Sequence, residues 1–448
     1  MSNRLVALLI LAVPTAASTQ VAPRRTQLDS AQVADLLNRL RSADSAVCQL
    51  AGNTLVNPWN VGSLGDEMPL VTPMPRPMPR PMPMPFAAPV MSRPGIRTRF
   101  GGSVNGWARY DGSALGAFRA VLRDQSRCVR NAAARVLGRA RAAGAYEAFS
   151  SLLRDPSAGL RETGALGLAE LDDSRAARPL SDALKDREAT VRAAAAVGLG
   201  RLEDASTISA LAGALDDASP LVRRNAVWAL GAIETRQVRE PLARALKDTD
   251  PDVRATAAWG LGKLEDSTAI GPLGDALKDR DANVRQAAAF ALGQLESKSS
   301  VAPLATALKD ADPDVRQTAA WALGQTESAS AVEGLGAALK DRDEGVRETA
   351  AWALGEVQSA DAVPALAGAL HDSEVDVRVA AAWALGQIES PRGVEALKEA
   401  MRDEVQEVRR AAVWALSQIE DPRAEDAVAN AAEGDRLRRP RTRVRVRP

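Results

Sequence analysis

This chain is poor in the residues that carry out chemistry. In 448 residues it has one histidine, His371, and two cysteines, Cys48 and Cys128. A histidine with no partnering base or nucleophile supports no relay, and one imidazole makes no metal centre. His371 therefore reads as a surface substitution where other units hold Lys340 or Arg402. Aromatic residues make up only 3% of the chain, and Lys plus Arg (57) balance Asp plus Glu (57). Without an excess of positive charge the chain as a whole is not a polyanion binder, and no nucleic acid partner is expected. After the N-terminal segment no apolar run reaches the ~20 residues that a spanning helix needs, so no transmembrane span is expected in the mature chain.

What the chain does have is a period. An aliphatic residue followed by arginine recurs every 31 residues, beginning Val129-Arg130, Leu160-Arg161, Val191-Arg192, Val222-Arg223 and Val253-Arg254. It continues through Val284-Arg285, Val315-Arg316, Val346-Arg347, Val377-Arg378 and Val408-Arg409. Five residues before each aliphatic stands an aspartate, from Asp124 through Asp248, Asp279, Asp310 and Asp341 to Asp403. No residue is gained or lost along this run. A fixed period of this size defines a solenoid, whose units bury their apolar faces only by stacking on each other. Such a fold offers a long surface rather than a deep pocket, which favours binding over catalysis.

One unit, KSSVAPLATALKDADPDVRQTAAWALGQTES (298–328), splits into two helices. The first covers about Val301 to Lys309. Asp312 is suited to N-cap the second, with Pro313 at its first position and an end near Thr326. On a helical wheel of the unit around Val253, the residues Val253, Ala257, Gly260, Leu261 and Leu264 form one stripe, which faces the first helix. Arg254, Ala258 and Gly262 form a flank small enough for the next unit to approach. Ala255, Thr256, Trp259 and Lys263 point the other way.

The flanks differ in kind. Residues 1–20 read as a signal peptide: Arg4, the apolar run Leu5–Val13, then Ala16-Ala17-Ser18 for cleavage. The mature protein is expected to be exported, periplasmic or extracellular. Residues 21–56 suggest a short helical cap and resemble worn repeat sequence. Residues 57–106 contain PMPRPMPRPMPMPF (73–86), whose prolines forbid helix and sheet ladders and leave an extended or disordered linker. The repeats are expected over 107–433, ending in a lone helix from Pro422 to Glu433, and 434–448 reads as an Arg-rich disordered tail. Cys48 and Cys128 can pair in an oxidising compartment, if the cap lies against the first repeat.

Strings such as PLATALKDADPDVRQTAAWALGQTE (303–327) resemble HEAT-like repeats, in particular the short-unit branch first recognised in bilin lyases. The resemblance covers about residues 111–421. It implies an all-α, right-handed α-solenoid of about ten two-helix repeats, whose second helices line the concave face. It also implies that the Asp and Arg columns (Asp248, Arg254, Asp279, Arg285, Asp310, Arg316, Asp341, Arg347) form an internal ladder between units, a reading that fits the chemistry of an Asp cap and a guanidinium fork. Iron-dependent hydroxylases of this fold need several His-Glu pairs, which this sequence lacks; no cofactor is expected.

Trp228, Trp259, Phe290, Trp321, Trp352, Trp383 and Trp414 form a further column at the same period, where the first three units hold Arg135, Leu166 and Val197. Gln294, Gln325 and Gln387 border it. Two readings stand side by side. The rings can line a groove that contacts a protein or peptide, since tryptophan is favoured in binding hot spots. They can instead lie over the Ala/Gly flank of the neighbouring unit and close the stack.

The expectation is a non-enzymatic exported scaffold that binds a protein or peptide along the concave face. One alternative is an enzyme or enzyme subunit of the bilin-lyase type. Another is a copper-handling protein that uses Met68, Met74, Met78, Met82, Met84 and Met91 as thioether ligands. The Arg-rich tail offers a second contact, to an anionic surface.

Overall fold

The computed structural model describes residues 30–41 and 112–438, and all of these lie in helices and the turns between them. The signal peptide, the linker and residues 439–448 fall outside the described residues, as does all of the cap except 30–41. The chain divides into two compact units between Ile233 and Glu234.

The first unit holds the helix Ser30–Arg41 and four helical pairs: Gly112–Ala120 with Arg127–Arg139, Ala145–Leu152 with Ala158–Glu170, Ala177–Ala183 with Ala189–Leu202, and Ile208–Gly213 with Pro220–Ala232. Ser30–Arg41 packs on the first pair. It buries Val33, Leu37 and Leu40, and Arg41 donates from Nε and Nη2 to Oδ2 of Asp124. The helix therefore occupies the place of a preceding repeat.

The second unit holds six pairs. These are Arg239–Ala245 with Pro251–Gly262, Ile270–Ala276 with Ala282–Gln294, Val301–Ala307 with Pro313–Gln325, Val332–Ala338 with Glu344–Val357, Val363–Ala369 with Val375–Ile388, and Val394–Ala400 with Gln406–Gln418. A last helix, Pro422–Arg438, packs on the final pair. It runs past the expected limit at Glu433, because nothing between 434 and 438 forbids helix, whereas Pro440 disfavours it at the residue before.

Each unit is sealed by a few repeating contacts. The valine of the Val-Arg pair, the leucine of the second helix (Leu261, Leu292, Leu323, Leu354) and the leucine of the first (Leu273, Leu304, Leu335, Leu366) are fully buried. Each such burial contributes roughly 1.5–3 kcal/mol. Asp312 caps the second helix of its repeat as expected, accepting from the Asp314 N–H at 2.9 Å with Pro313 at the first position. The turn back to the next repeat is less ordinary. Nine non-glycine residues at the 31-residue period, from Arg141 through Glu296 and Glu327 to Glu389, have φ between +46° and +53°. Glycine or asparagine is the usual choice for this left-handed helix stop.

Candidate interaction surface

The Asp and Arg columns are structural. In the second unit Arg254, Arg285, Arg316, Arg347 and Arg378 each fork onto the aspartate of the next repeat: Asp279, Asp310, Asp341, Asp372 and Asp403. The Nε–Oδ2 distances run from 2.7 to 2.9 Å. Nη1 of the same arginine donates back to the carbonyl of its own repeat's aspartate, as Arg316 does to Asp310 at 2.9 Å. That aspartate's Oδ1 also accepts the N–H two residues on, as Asp310 does from Asp312. In the first unit Arg161–Asp186 and Arg192–Asp217 repeat the pattern at 2.6 Å. Its first rung differs: Arg130 turns to Thr163 Oγ1, and Arg123 takes Asp155. Burial pushes the carboxyl of Asp310 up, but the Arg285 fork and the Asp312 N–H outweigh it and hold the group below its ordinary value. Bonded to Asp310, Arg285 is held above its own ordinary value.

The aromatic column is largely closed into the stack. Trp352 is 3% exposed and Trp383 7%, whereas Trp228, Trp259, Phe290, Trp321 and Trp414 are half-buried. The ring edges of Trp228, Trp321, Trp352, Trp383 and Trp414 each meet the glycine of the Leu-Gly pair in the preceding repeat. A Cβ on Gly200, Gly293, Gly355 or Gly386 would stand 2.7–2.8 Å from Cζ3 of Trp228, Trp321, Trp383 or Trp414, and one on Gly324 would stand 3.3 Å from that of Trp352. Phe290 stacks on Trp321 with centroids 5.0 Å apart and planes 10° apart. Trp352 and Trp383 are therefore packing residues, not the open contacts that a wholly exposed ring groove would require. What this face presents to solvent is the half-buried ring edges with exposed Gln294 and half-buried Gln325 and Gln387. Lys263 lies 5.1 Å over the Trp259 ring and pairs with Glu234 at 2.5 Å.

A polar column near the start of the second helices ties neighbouring repeats. Gln286 donates to Thr318 Oγ1 at 3.3 Å, and Gln317 to Thr349 at 3.1 Å. The next member is Glu348, and the position opposite is Ala380, which has no hydroxyl. Burial, reinforced by Asp376 and Glu344, raises the Glu348 carboxyl above its ordinary value.

The first unit carries a charged cluster four residues along from the ring column, at the positions that hold Gln294, Gln325 and Gln387 in the second. Arg139, Glu170 and Arg201 stand 31 residues apart on successive second helices, and Arg135 takes the ring position of the first. Arg139 Nε and Arg201 Nη1 both lie 2.7 Å from Glu170 Oε2, and Arg135 Nε lies 3.9 Å from Oε1. The Glu170 side chain is 1% exposed, against 21–27% for the three arginines. Sequence reading noted Arg135 only as a missing aromatic. The signal it passed over is the alternation of charge, Arg-Glu-Arg, within one column.

His371 is exposed beside Arg378, Asp403 and Glu404 in a shallow depression of about 310 Å³. Among the described residues no group of three or more His, Cys, Asp or Glu is arranged to hold a metal ion, and no helix is long and apolar enough to cross a membrane. Cys128 is disulfide-bonded; Cys48 lies outside the described residues, as do Met68 to Met91.

Tandem two-helix repeats, joined within each compact unit by ionic rungs and an apolar seam, define an α-solenoid. The chain belongs to the HEAT-repeat family, which matches residues 115–200, 178–249, 239–310, 301–377 and 363–445. The match does not single out the bilin-lyase branch. Comparison with curated proteins finds no match. Among solved structures, Kap95p in a study of its binding to RanGDP is 13% identical over 93% of this chain and 58% of its own, with a TM-score of 0.57. Importin beta in an ammonium sulfate condition is 13% identical over 86% and 55%, with a TM-score of 0.54. An engineered protein is 22% identical over 68% and 99%, with a TM-score of 0.43. The first two share the fold, and this chain spans little more than half of either.

Proposed function

We propose that this protein is an exported, non-enzymatic scaffold that binds a protein or peptide along the face formed by its second helices. The observation that carries the reading is the row of half-buried ring edges bordered by Gln294, Gln325 and Gln387 in the second unit. Rigid aromatic edges beside adaptable amides suit an extended peptide, because they offer contact area at little further cost in side-chain entropy. The ionic ladder supports the same reading, since it holds this face in register without using the face's own residues. Export rests on the pattern in residues 1–20 and is tested by finding the mature chain, cleaved near Ala17, outside the cytoplasm.

The binding surface is tested by placing a photo-crosslinking residue at Gln294, Gln325 or Gln387, and in separate variants at exposed Glu296 and Glu327 on the turns. One discrete adduct from the glutamine positions, absent from the turn positions, is the expected result. Adducts indifferent to position, or none, overturn the reading.

A further inference from the structure

We propose that the outer flank of the last second helix, Gln406–Gln418, is a docking seat for an aspartate-headed helix of another protein, with Arg409 binding the carboxylate. In the second unit each earlier repeat turns this flank to the second helix of the next. Its members stand four residues apart, as Arg378, Ala382 and Gly386 do. Ala382 and Gly386 are buried in the seam, and Arg378 forks onto Asp403. On the last helix the same positions are Arg409, Val413 and Ser417. Arg409 and Val413 are only half-buried and Ser417 is exposed, although Pro422–Arg438 packs on this pair.

The arginine is in place and its acceptor is missing. Thirty-one residues after Asp403 the chain has Gly434, and the helix runs on through it to Arg438 where earlier repeats form the aspartate turn. Nη1 of Arg409 donates to the carbonyls of Asp403 and Glu404 at 2.7 and 2.8 Å, the same tether that Arg316 and Arg378 make. Among the described residues no hydrogen bond or ion pair reaches its Nε or Nη2. A guanidinium held by one nitrogen has already lost much of its rotamer freedom, so an arriving carboxylate meets two parallel donors set in advance.

The flank also selects its occupant. A helix with a ring cannot seat here, because Ser417 brings a Cβ to the position where, on Gly386, one would stand 2.8 Å from Cζ3 of Trp414. A ringless helix can, as Val197 follows Ala169, which carries a Cβ at the same position in the first unit. A second copy offers no open aspartate at its leading end, since Arg41 already holds Asp124. The seat therefore fits a helix of a different protein, preceded by an aspartate turn and with an aliphatic side chain over Ser417. It uses none of the half-buried ring edges assigned above, so the two readings stand or fall separately.

The test uses the full chain and a fluorescein-labelled peptide that copies residues 183–202, with Asp186 in its turn and Val197 at the ring position. Saturable binding by anisotropy, with Kd below about 1 mM, is expected. Asp186→Asn in the peptide and Arg409→Gln in the protein should each weaken it at least about tenfold, as loss of a bidentate charge-assisted pair does. Arg410→Gln, at an exposed position of the same helix, should change it less than about twofold, as for screened surface charge. Ser417→Trp fills the seat from an exposed position and should abolish binding with Arg409 intact. That variant decides if Arg409→Gln loses helix signal by circular dichroism. The proposal is overturned by no saturation up to about 1 mM, by an Asp186→Asn peptide that binds as well, by equal loss in Arg410→Gln, or by affinity that survives Ser417→Trp. Self-association of the full chain that Arg409→Gln abolishes also overturns it, because the occupant is then a second copy. Crosslinks from Gln294, Gln325 and Gln387 are read separately, so their persistence without peptide binding defeats this inference alone.

Discussion

In the second unit Trp321, Trp352, Trp383 and Trp414 fill the seam between successive second helices, each seated on a glycine of the repeat before it. In the first unit the same column carries Arg135, Leu166 and Val197, and only Trp228 makes the ring–glycine contact, on Gly200. Apart from the half-buried Leu160 and the first rung, where Arg130 turns to Thr163, the buried valines and leucines and the fork from arginine to aspartate are alike in the two. The difference separates two kinds of position. Residues that face the first helix or the rung are fixed by stacking, because every copy must meet the same neighbour. Residues on the outer side of the second helix are free to diverge in chemistry, provided the flank opposite diverges with them. Where Val197 replaces a ring, the preceding flank position is Ala169 rather than glycine. A small aliphatic leaves room for the methyl group that a tryptophan would exclude.

The comparison can be broken first at the ring. Trp383→Ala is expected to cost about 3–5 kcal/mol in urea unfolding, as removal of a buried aromatic does. Val197→Ala in the first unit should cost under about 1 kcal/mol, because that side chain is smaller and half-buried. Gly355→Ala should itself cost about 1–3 kcal/mol, since its new Cβ meets Trp383 and the Ala384 backbone. In a Trp383→Leu background that cost should fall by at least about 0.5 kcal/mol, the sign of direct coupling. Strict additivity would show that the glycine is there for the backbone alone.

The ladder sharpens the comparison by predicting no difference. Arg192→Ala in the first unit and Arg285→Ala in the second should each cost about 2–3 kcal/mol, because each leaves a partly buried aspartate without its fork. Asp217 and Asp310 are both held below their ordinary value of 3.8 in the folded chain. The stability they contribute is therefore present above that value and lost as pH falls through the lower, folded one. The two substitutions should accordingly stop mattering in acid. A penalty that persists there would mean that the arginine acts through its stem.

The smallest effect carries the opposite sign. Glu348 is raised above its ordinary value, so its charged form burdens the fold at neutral pH and the burden is gone below about pH 4.5. Glu348→Gln should raise the melting temperature slightly at pH 7 and leave it unchanged in acid. Adding Ala380→Thr should raise it further by restoring the rung that Gln286 and Gln317 make with their threonines. A melting temperature that falls at pH 7 would show the carboxylate to be held by an attractive contact.

Most of the fold was legible because it depends on periods. The stripe at Val253, Ala257 and Leu261 and the cap at Asp312-Pro313 follow from local spacing and are where the helical wheel put them. The left-handed turn at Glu296 was not legible, since glutamate carries no preference for that conformation and only the tertiary return of the chain enforces it. The Arg135, Arg139, Glu170 and Arg201 cluster was missed because its members sit on three different helices. Only comparison of one column across repeats brings them together. The split between buried and half-buried rings depends on sub-ångström seating against glycine, which no residue type announces.

Each of the seven forked rungs joins an arginine of one repeat to the aspartate of the next, so a copy of such a repeat arrives with both halves of its joint already made. A gene that duplicates or deletes a whole unit needs no compensating change at the new boundary, while a single inserted residue would throw every later contact out of phase. Length in such a molecule is quantised. Evolution can adjust how many contact positions are offered in steps of one repeat, and the chemistry of each step is open to revision after the copy is made.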